Sequence, residues 1–410
     1  MVPSCTSNRP VPPAAPRPDS SRRGPRGHAA RLTLILLCAV PLAAQPGARP
    51  GAQTDERSAF QAAEQALRAG RLDEARSGFQ AILKRNPRHL AALANLGVVE
   101  AQARNYAAAE QSYRRALKLA PDHPLLHLNL GLALFKQDLY PEAAREFEQT
   151  LARSPSHTQA QELLAACHVH TGAAARALPV LTALLQSRPA EPGLLYLHAL
   201  ALVKLNRHDE AQTSLRNLFA AAPPALAHFL AGKAHYENEA FDEAVSELEQ
   251  ARTLDPKLEG VHRELGKVFI SLRRAQEAET ALRAALAADP NDTEARYFLA
   301  GALVLQDRGG EALPLLDEVA RHRPAFWGVH YYRGRILLGE GKAAEALPAL
   351  EQAAKLNPTE SSTFYQLARA YRAIGRSADA TAALARLSQL KAQAGTQTGA
   401  PNDPALLRRK

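Results

Sequence analysis

The amino-acid sequence predicts an all-α protein, a solenoid of tandem antiparallel helix pairs. The chain is 46% hydrophobic but only 5% aromatic, and alanine and leucine dominate it. This composition favours helices over strands. Prolines recur at an almost constant interval, and small apolar residues recur at fixed offsets from them. Regular recurrence of this kind is typical of a repeat architecture.

The proline interval divides the chain into units. Seven of its eight intervals are 34 residues long and one is 33 residues long. The prolines are Pro87, Pro121, Pro155, Pro189, Pro223, Pro256, Pro290, Pro324 and Pro358. Proline lacks an amide hydrogen and disfavours helical backbone in the residue before it, so each proline is predicted to end a helix. Alignment on the prolines gives ten units over residues 56–394.

Each unit has small residues at two fixed positions. Positions are numbered so that Leu90 is position 1 of the second unit. Position 8 is always glycine or alanine and position 20 is alanine, as in Gly97 and Ala109. Large apolar residues such as Leu96 and Tyr113 recur at helical spacing between them. This pattern predicts two antiparallel helices per unit, whose backbones approach closely at the small residues. One pair cannot bury its apolar face alone, so the units are predicted to stack.

The units resemble the tetratricopeptide repeat. Two of them, LAALANLGVVEAQARNYAAAEQSYRRALKLAPDH (residues 90–123) and KLEGVHRELGKVFISLRRAQEAETALRAALAADP (residues 257–290), carry its Leu-Gly, Ala and Pro marks. The resemblance implies a right-handed superhelix with a concave groove that binds peptides or protein segments. It also implies that positions 2, 5, 6, 9, 12 and 13 of each first helix face this groove.

Those positions hold six of the ten tyrosines. Tyrosine and arginine are favoured at binding surfaces, because they combine a large contact area with a polar group. We therefore predict a partner-binding groove, and the alternative is that the tyrosines pack between neighbouring first helices as core residues. The predicted groove residues are Tyr196, Phe229, Lys233, Tyr236, Arg263, Lys267, Tyr297, Phe298, Tyr331, Tyr332, Arg335, Tyr365, Arg369 and Arg372 in units 5 to 10, with Asn95 and Asn129 in units 2 and 3.

Asn95 and Asn129 occupy places where some members of the family grip a C-terminal carboxylate. The matching basic places hold Phe60 and Leu125, so the resemblance implies an incomplete clamp. The two asparagines are left as candidate ligands for the backbone of an extended peptide. A cation–π contact is expected between neighbouring groove residues such as Arg335 and Tyr365.

The stretch ACHVH, residues 166–170, brings one cysteine and two histidines together. Cys167 stands at position 10, which is apolar in every other unit except the first, so we interpret it as a small buried hydrophobe. The three side chains are predicted to point in different directions, and only Cys167 and His170 could share a helix face, so two ligands are too few for a zinc site. Nucleotide-binding glycine motifs, HExxH, GxSxG and CxxC do not occur. We expect no catalytic residue, no metal, no cofactor and no enzymatic activity.

The first 45 residues have the pattern of a secretion signal. Arginines precede the apolar run of residues 32–44, which is short for a membrane span and suited to a signal peptide. We expect a signal peptide or an uncleaved anchor over residues 1–45, a linker over 46–55 and a disordered polar tail over 395–410. The expected location is the periplasm or cell envelope, or alternatively the inner membrane through residues 32–44.

The charge balance argues against nucleic acid as a partner. The net charge of +9 falls to +4 without the leader, and nucleic-acid binding needs a concentrated basic patch. The sequence therefore predicts a non-enzymatic scaffold that binds a peptide or protein segment and supports assembly of an envelope complex. The alternative is recruitment of polysaccharide machinery through the aromatic groove. Membrane contact is expected only through an uncleaved leader.

Overall fold

The computed structural model describes residues 50–398, with side chains over 55–392, as twenty α-helices without a strand. The first helices of the ten units are α1 (Pro50–Arg68), α3 (Leu90–Gln102), α5 (Pro124–Phe135), α7 (Thr158–His170), α9 (Pro192–Lys204), α11 (Pro224–Glu237), α13 (Val261–Ser271), α15 (Thr293–Leu305), α17 (Trp327–Gly339) and α19 (Ser361–Ala373). The second helices are α2 (Leu72–Arg85), α4 (Tyr106–Leu117), α6 (Tyr140–Arg153), α8 (Ala174–Ser187), α10 (His208–Ala221), α12 (Phe241–Leu254), α14 (Ala275–Ala288), α16 (Gly309–His322), α18 (Ala343–Leu356) and α20 (Ser377–Thr398).

The predicted solenoid of helix pairs is confirmed. Each first helix packs on the second helix of its own unit, and each second helix packs on the first helix of the next. Consecutive first helices also touch, as in α13 with α15 and α15 with α17. The interior between the two helix layers is filled mainly by alanine and leucine.

The small residues at position 8 let the two helices of a unit approach closely. A Cβ atom added to Gly97 would lie 2.5 Å from a ring carbon of Tyr113, and one added to Gly266 would lie 2.4 Å from Cγ of Leu282. Those distances are far below van der Waals contact, so a larger residue at either glycine would require the facing side chain of the second helix to move. The small residues at fixed spacing therefore mark the place where the two helices of a unit are in closest contact.

The prolines mark the ends of the second helices as predicted. Helix α2 ends at Arg85, two residues before Pro87, and the same offset recurs in most units. The turn between the helices of a unit has its own signature at position 15. The backbone there is left-handed in every unit, with φ of 61° at Arg104 and 61° at Asp138, for example. Such backbone is costly for a side-chain-bearing residue, and several units place glycine there instead.

The single short interval falls between units 5 and 7. Only two residues separate Ala221, the end of α10, from Pro224, the start of α11. The following connection is longer, because α12 ends at Leu254 and α13 begins only at Val261. Gly260 precedes α13 with a left-handed φ of 85°. The first helix of unit 7 therefore lacks the turn with which the other first helices begin.

The limits of the array differ slightly from the expected ones. Helix α1 begins at Pro50, within the expected linker, and α20 continues to Thr398, within the expected tail. The predicted leader and the rest of the predicted tail lie outside the described residues. No helix within residues 50–398 combines the length and apolar character needed to cross a membrane.

Candidate functional site

A row of basic and aromatic side chains follows the first helices of units 5 to 9. Lys233 on α11 is its first basic member. Its Nζ atom lies 5.4 Å from the centre of the Tyr196 ring and 5.6 Å from that of Phe229. These are cation–π distances, and the rings attract the ammonium group through their negative faces. Lys233 forms no ion pair within residues 55–392, although its charge acts on the nearby Glu264.

Lys267, one unit further along, repeats this arrangement. Its Nζ atom lies 5.3 Å from the centre of the Tyr236 ring and 5.7 Å from that of Phe298. Unlike Lys233, it is also paired, since Nζ lies 2.9 Å from a carboxylate oxygen of Glu264. Lys233 and Lys267 both occupy position 9 of their units, so the repeat itself sets their spacing along the row.

A charged cluster lies beside Lys267. The Arg263 guanidinium pairs with Asp292 at 2.8 Å, with Glu294 at 3.3 Å and with Glu264 at 3.3 Å. Glu264 is only 4% exposed. Burial acts to raise its pKa, but the charges of Lys267, Lys233 and Arg263 outweigh burial and hold the pKa at about 2. Arg263 and Lys267 thus have carboxylate partners within the protein, and their predicted role in partner binding stays a prediction.

Two tyrosines of the row interdigitate with neighbouring backbones. A Cβ on Gly301 would lie 2.4 Å from the Tyr332 hydroxyl oxygen, and one on Gly328 would lie 2.6 Å from that of Tyr297. Burial raises the pKa of Tyr332 to about 12 and that of Tyr297 well above its usual value. Tyr332 is 7% exposed and Tyr196 is 9% exposed. These residues pack between first helices, as the alternative interpretation expected, and a role in partner binding stays a prediction.

The C-terminal end of the row is more accessible. The Arg335 guanidinium lies 5.8 Å from the ring centres of both Tyr331 and Tyr332. The expected pairing of Arg335 with Tyr365 is thus replaced by contacts within its own helix. Tyr365 is 44% exposed, and Arg369 and Arg372 in the last unit are exposed as well.

Two aromatic residues outside the predicted groove residues extend the row. The Phe326 ring lies 4.8 Å from that of Tyr297, and the Trp327 ring lies 5.8 Å from that of Tyr331. Both lie at the start of α17, outside the positions that the resemblance assigns to the groove. The signal was present, because Trp327 is the only tryptophan in the chain and directly follows a phenylalanine.

The two asparagines of units 2 and 3 lie deep in the array. Asn95 on α3 is 2% exposed and Asn129 on α5 is fully buried. The side-chain oxygen of Asn95 has no hydrogen-bond partner within residues 55–392. Contact of either residue with a peptide backbone stays a prediction.

The ACHVH stretch lies on α7. Cys167 is fully buried, and burial raises the pKa of its thiol to about 12, so it is protonated at neutral pH. His168 is buried, whereas His170 stacks on Tyr140 with ring centres 4.5 Å apart. Within the part of the chain that the structure describes, His, Cys, Asp and Glu form no group of three or more that is arranged to hold a metal ion.

A depression of about 320 Å³ lies away from the row, between α8, α9 and α10. His198 lines it, with Nδ1 2.8 Å from the Ser214 hydroxyl and Nε2 3.2 Å from the Thr182 hydroxyl. Burial and then the charge of Arg207 lower the pKa of His198. These hydrogen bonds account for a histidine at a position that is usually apolar.

Comparison with known proteins agrees with this architecture. Two tetratricopeptide repeat models match, one over residues 60–124, 128–192, 196–259 and 306–361, the other over 235–293, 269–329 and 337–396. No curated protein matches the chain in sequence.

Solved structures that align with the chain include the human IFIT1 dimer with m7Gppp-AAAA, at 15% identity and a TM-score of 0.43, covering 82% of this chain and 90% of that one. A monomeric IFIT1 mutant with Gppp-AAAA aligns at 14% identity and a TM-score of 0.44, covering 81% of this chain and 90% of that one. The repeat models account for more than half of the sequence, and the array has the all-helical, superhelical fold of that family. The chain belongs to the tetratricopeptide repeat family.

Proposed function

We propose that the chain is a non-enzymatic scaffold that binds a segment of a partner protein along the row of basic and aromatic side chains. Repeats of this family typically serve as protein-binding scaffolds without catalysis. The observation that carries the proposal is the unpaired Lys233 between the rings of Tyr196 and Phe229. A partner that supplies a carboxylate would find the ammonium group held in place by the two rings.

The accessible end of the row supplies the remaining contacts. Tyr331 is half-buried below Arg335, and Tyr365 is 44% exposed one unit further on. Partly exposed tyrosines next to arginines combine apolar area with hydrogen-bonding groups, which is the composition of binding hot spots. The buried Tyr196 and Tyr332 support this surface from below.

The proposed setting is the cell envelope. The arginine-containing leader and apolar run of residues 32–44 support export, either with cleavage or with retention as an anchor in the inner membrane. In that compartment the scaffold would help to assemble an envelope complex. Fractionation of cells that express the full chain tests this, and a chain found only in the cytoplasmic fraction would contradict it.

The binding test is photo-crosslinking in cells from position 331. A photoreactive amino acid replaces Tyr331, and the crosslinked products are identified by mass spectrometry. The control places the same group at Leu254, which is 52% exposed on a second helix, away from the row. We expect a defined polypeptide from position 331 that is lost in Lys233→Gln. The same abundant proteins from both positions would refute the proposal.

A second candidate is recruitment of polysaccharide machinery, favoured by the aromatic contacts of Trp327 with Tyr331. Aromatic faces stack on sugar rings as well as on peptide groups. Retention of the chain on immobilised envelope polysaccharide, lost in Trp327→Ala, would favour this candidate over the polypeptide partner.

A further inference from the structure

The structure contains contacts between units that are far apart in the sequence. A solenoid normally joins each repeat only to its neighbours. Here an Arg323 guanidinium nitrogen lies 2.9 Å from the Asp138 carboxylate and donates to the Gln137 carbonyl at 3.0 Å. Nδ1 of His322 lies 2.9 Å from Oδ1 of Asn105, across 217 residues of chain. These contacts join units 2 and 3 to unit 8.

A second group of contacts joins unit 2 to the residues around unit 7. The Arg104 guanidinium pairs with Asp289 at 2.6 Å and approaches Glu259 at 3.6 Å. The residues on one side all lie in turns between the two helices of a unit, and those on the other side lie in or beside connections between units. We call this boundary the seam, formed by Arg104, Asn105, Gln137 and Asp138 on one side and Glu259, Asp289, His322 and Arg323 on the other.

The seam is specific to these units rather than a general property of the repeat. Arg273 and Asp307 occupy the same left-handed position 15 in units 7 and 8 as Arg104 and Asp138 do in units 2 and 3. Both are exposed and form no ion pair within residues 55–392. The same residue types at the same position therefore form contacts only where the array brings distant units together.

The irregularity between units 6 and 7 contributes directly to the seam. Because α13 begins late, at Val261, Glu259 lies in the extended connection rather than in a helix. Gly260 turns the chain there with a φ of 85°, and Glu259 approaches Arg104 from this connection. The irregular connections around unit 6 therefore place Glu259 in a loop, from which it reaches Arg104.

The row of the proposed groove lies next to the seam. Lys136 directly precedes Gln137 of the seam, and charged residues of units 6 and 7 shift its pKa. Burial lowers the pKa of Lys136, and the charges of Arg263, Arg104 and Lys233 lower it further. Lys136 of unit 3 is therefore close enough to Arg263 on α13 and Lys233 on α11 for their charges to act on it, with Glu294 acting in the opposite sense.

The ion pairs of the seam are partly exposed, although the Arg323 side chain is only 15% exposed. Glu259 is 71% exposed and Asp138 is 57% exposed as side chains, and Arg104 is 38% exposed. Exposed ion pairs of this kind contribute little to stability and are weakened by salt.

We propose that the seam is a reversible, salt-sensitive clasp that closes the side of the groove and opens to admit a partner segment. This inference rests on the proposed function for the identity of what enters, but opening itself is measurable without any partner. The clasp opens when its ion pairs are screened or removed, and units 2 and 3 then separate from units 7 and 8. Contacts between neighbouring units are unaffected, so the helices themselves stay folded.

The first test measures the distance across the seam by electron paramagnetic resonance. Spin labels are attached at Gln102→Cys and Arg321→Cys in the full chain, with Cys5→Ser, Cys38→Ser and Cys167→Ala to remove other thiols. We expect one short distance at low salt and a growing population of longer distances at high salt. A distribution that does not change with salt would overturn the proposal.

Variants with a matched control separate the clasp from general charge effects. Arg104→Ala combined with Asp138→Ala should give the longer distances already at low salt. The control is Arg273→Ala combined with Asp307→Ala, which removes the same residue types at the same repeat position and should leave the short distance in place. Equal distributions in the two double variants would contradict the clasp, and circular dichroism verifies that both remain helical.

The second test measures access to the groove. Lys233→Cys is alkylated by a maleimide attached to a large polyethylene glycol, in the same cysteine-free background. We expect alkylation to be about tenfold faster with Arg104→Ala and Asp138→Ala than with the Arg273 and Asp307 control. Equal rates would show that the seam does not limit entry. If the clasp opens but the crosslinking at position 331 returns no partner, the proposed function fails while the clasp stands.

Discussion

Replacing Glu264 with glutamine removes the carboxylate at the centre of the charged cluster in unit 7. Glu264 is 4% exposed and binds Lys267 at 2.9 Å and Arg263 at 3.3 Å. Glutamine keeps the shape of the side chain but not its charge. The two cations keep other partners, because Asp292 lies 2.8 Å from Arg263 and Glu294 lies 3.5 Å from Lys267. The variant therefore weakens the cluster without leaving either cation alone.

The size of the effect follows from the pKa of Glu264. The cluster lowers that pKa from 4.5 to about 2, and each unit of pKa difference corresponds to about 1.4 kcal/mol. The ionised carboxylate of Glu264 thus contributes about 3 kcal/mol to the free energy of unfolding at pH 7. This agrees with the cost of breaking a buried ion pair, roughly 3 to 5 kcal/mol, with a reduction for the partners that remain.

The sign of the pH dependence follows from the lowered pKa in the folded state. The contribution of Glu264 is complete above its unfolded-state pKa of 4.5 and is lost as the pH falls towards 2. The difference between the wild type and Glu264→Gln should therefore shrink from about 3 kcal/mol at pH 7 to about 1 kcal/mol at pH 3. Urea denaturation followed by far-UV circular dichroism measures it at both pH values.

A matched control distinguishes this cluster from ordinary surface pairs. Glu277→Gln removes an exposed glutamate that pairs with Arg274, and its urea midpoint should not change measurably. The reasoning about Glu264 would be refuted by equal midpoints for the wild type and Glu264→Gln at pH 7. A difference that grows towards pH 3 would refute it as well.

Three further predictions concern single buried groups. Tyr113→Phe should raise the melting temperature, with about 1 kcal/mol of added stability, because the buried Tyr113 hydroxyl has no hydrogen-bond partner within residues 55–392. A lower melting temperature would show that the hydroxyl is satisfied. Gly301→Ala should destabilise the protein by about 1 to 3 kcal/mol, since its Cβ would lie 2.4 Å from the Tyr332 hydroxyl oxygen, and an unchanged melting temperature would contradict this packing. Cys167 should react with iodoacetamide only on unfolding, because it is fully buried with a pKa raised to about 12, and mass spectrometry of the native protein would reveal any early labelling.

The helix pairs were predictable from the periodicity, because the two helices of every unit pack against each other in the same way. Position 8 is glycine or alanine in every unit, and each glycine found there lies against an apolar side chain of the second helix, as Gly97 does against Tyr113 and Gly131 against Phe147. The left-handed turn at position 15 could also have been predicted from the sequence, since four units have glycine there: Gly70, Gly172, Gly341 and Gly375. The other six units have arginine, aspartate, asparagine or glutamate at this position, which concealed the turn, because the repeat enforces the backbone regardless of the residue.

The positions of the candidate site residues were predictable from the repeat, but which of their charges are paired was not. The repeat placed Lys233, Lys267 and Arg263 on one row, and the structure brings them next to aromatic rings and carboxylates. Which cations find a carboxylate partner depended on tertiary packing, since Asp292, in the connection before α15, reaches Arg263 on α13. Single-residue spacing does not reveal such a contact, because it depends on how one unit is rotated against the next.

The sequence by itself determined the repeat, the helix pairs and the ends of most helices, because these depend on contacts within 34 residues of chain. The tertiary structure decided which distant units meet. Small rotations between neighbouring units add up along a solenoid, and their sum brings Arg323 to Asp138. No local pattern encodes that sum, so the seam became visible only once all the units were placed together.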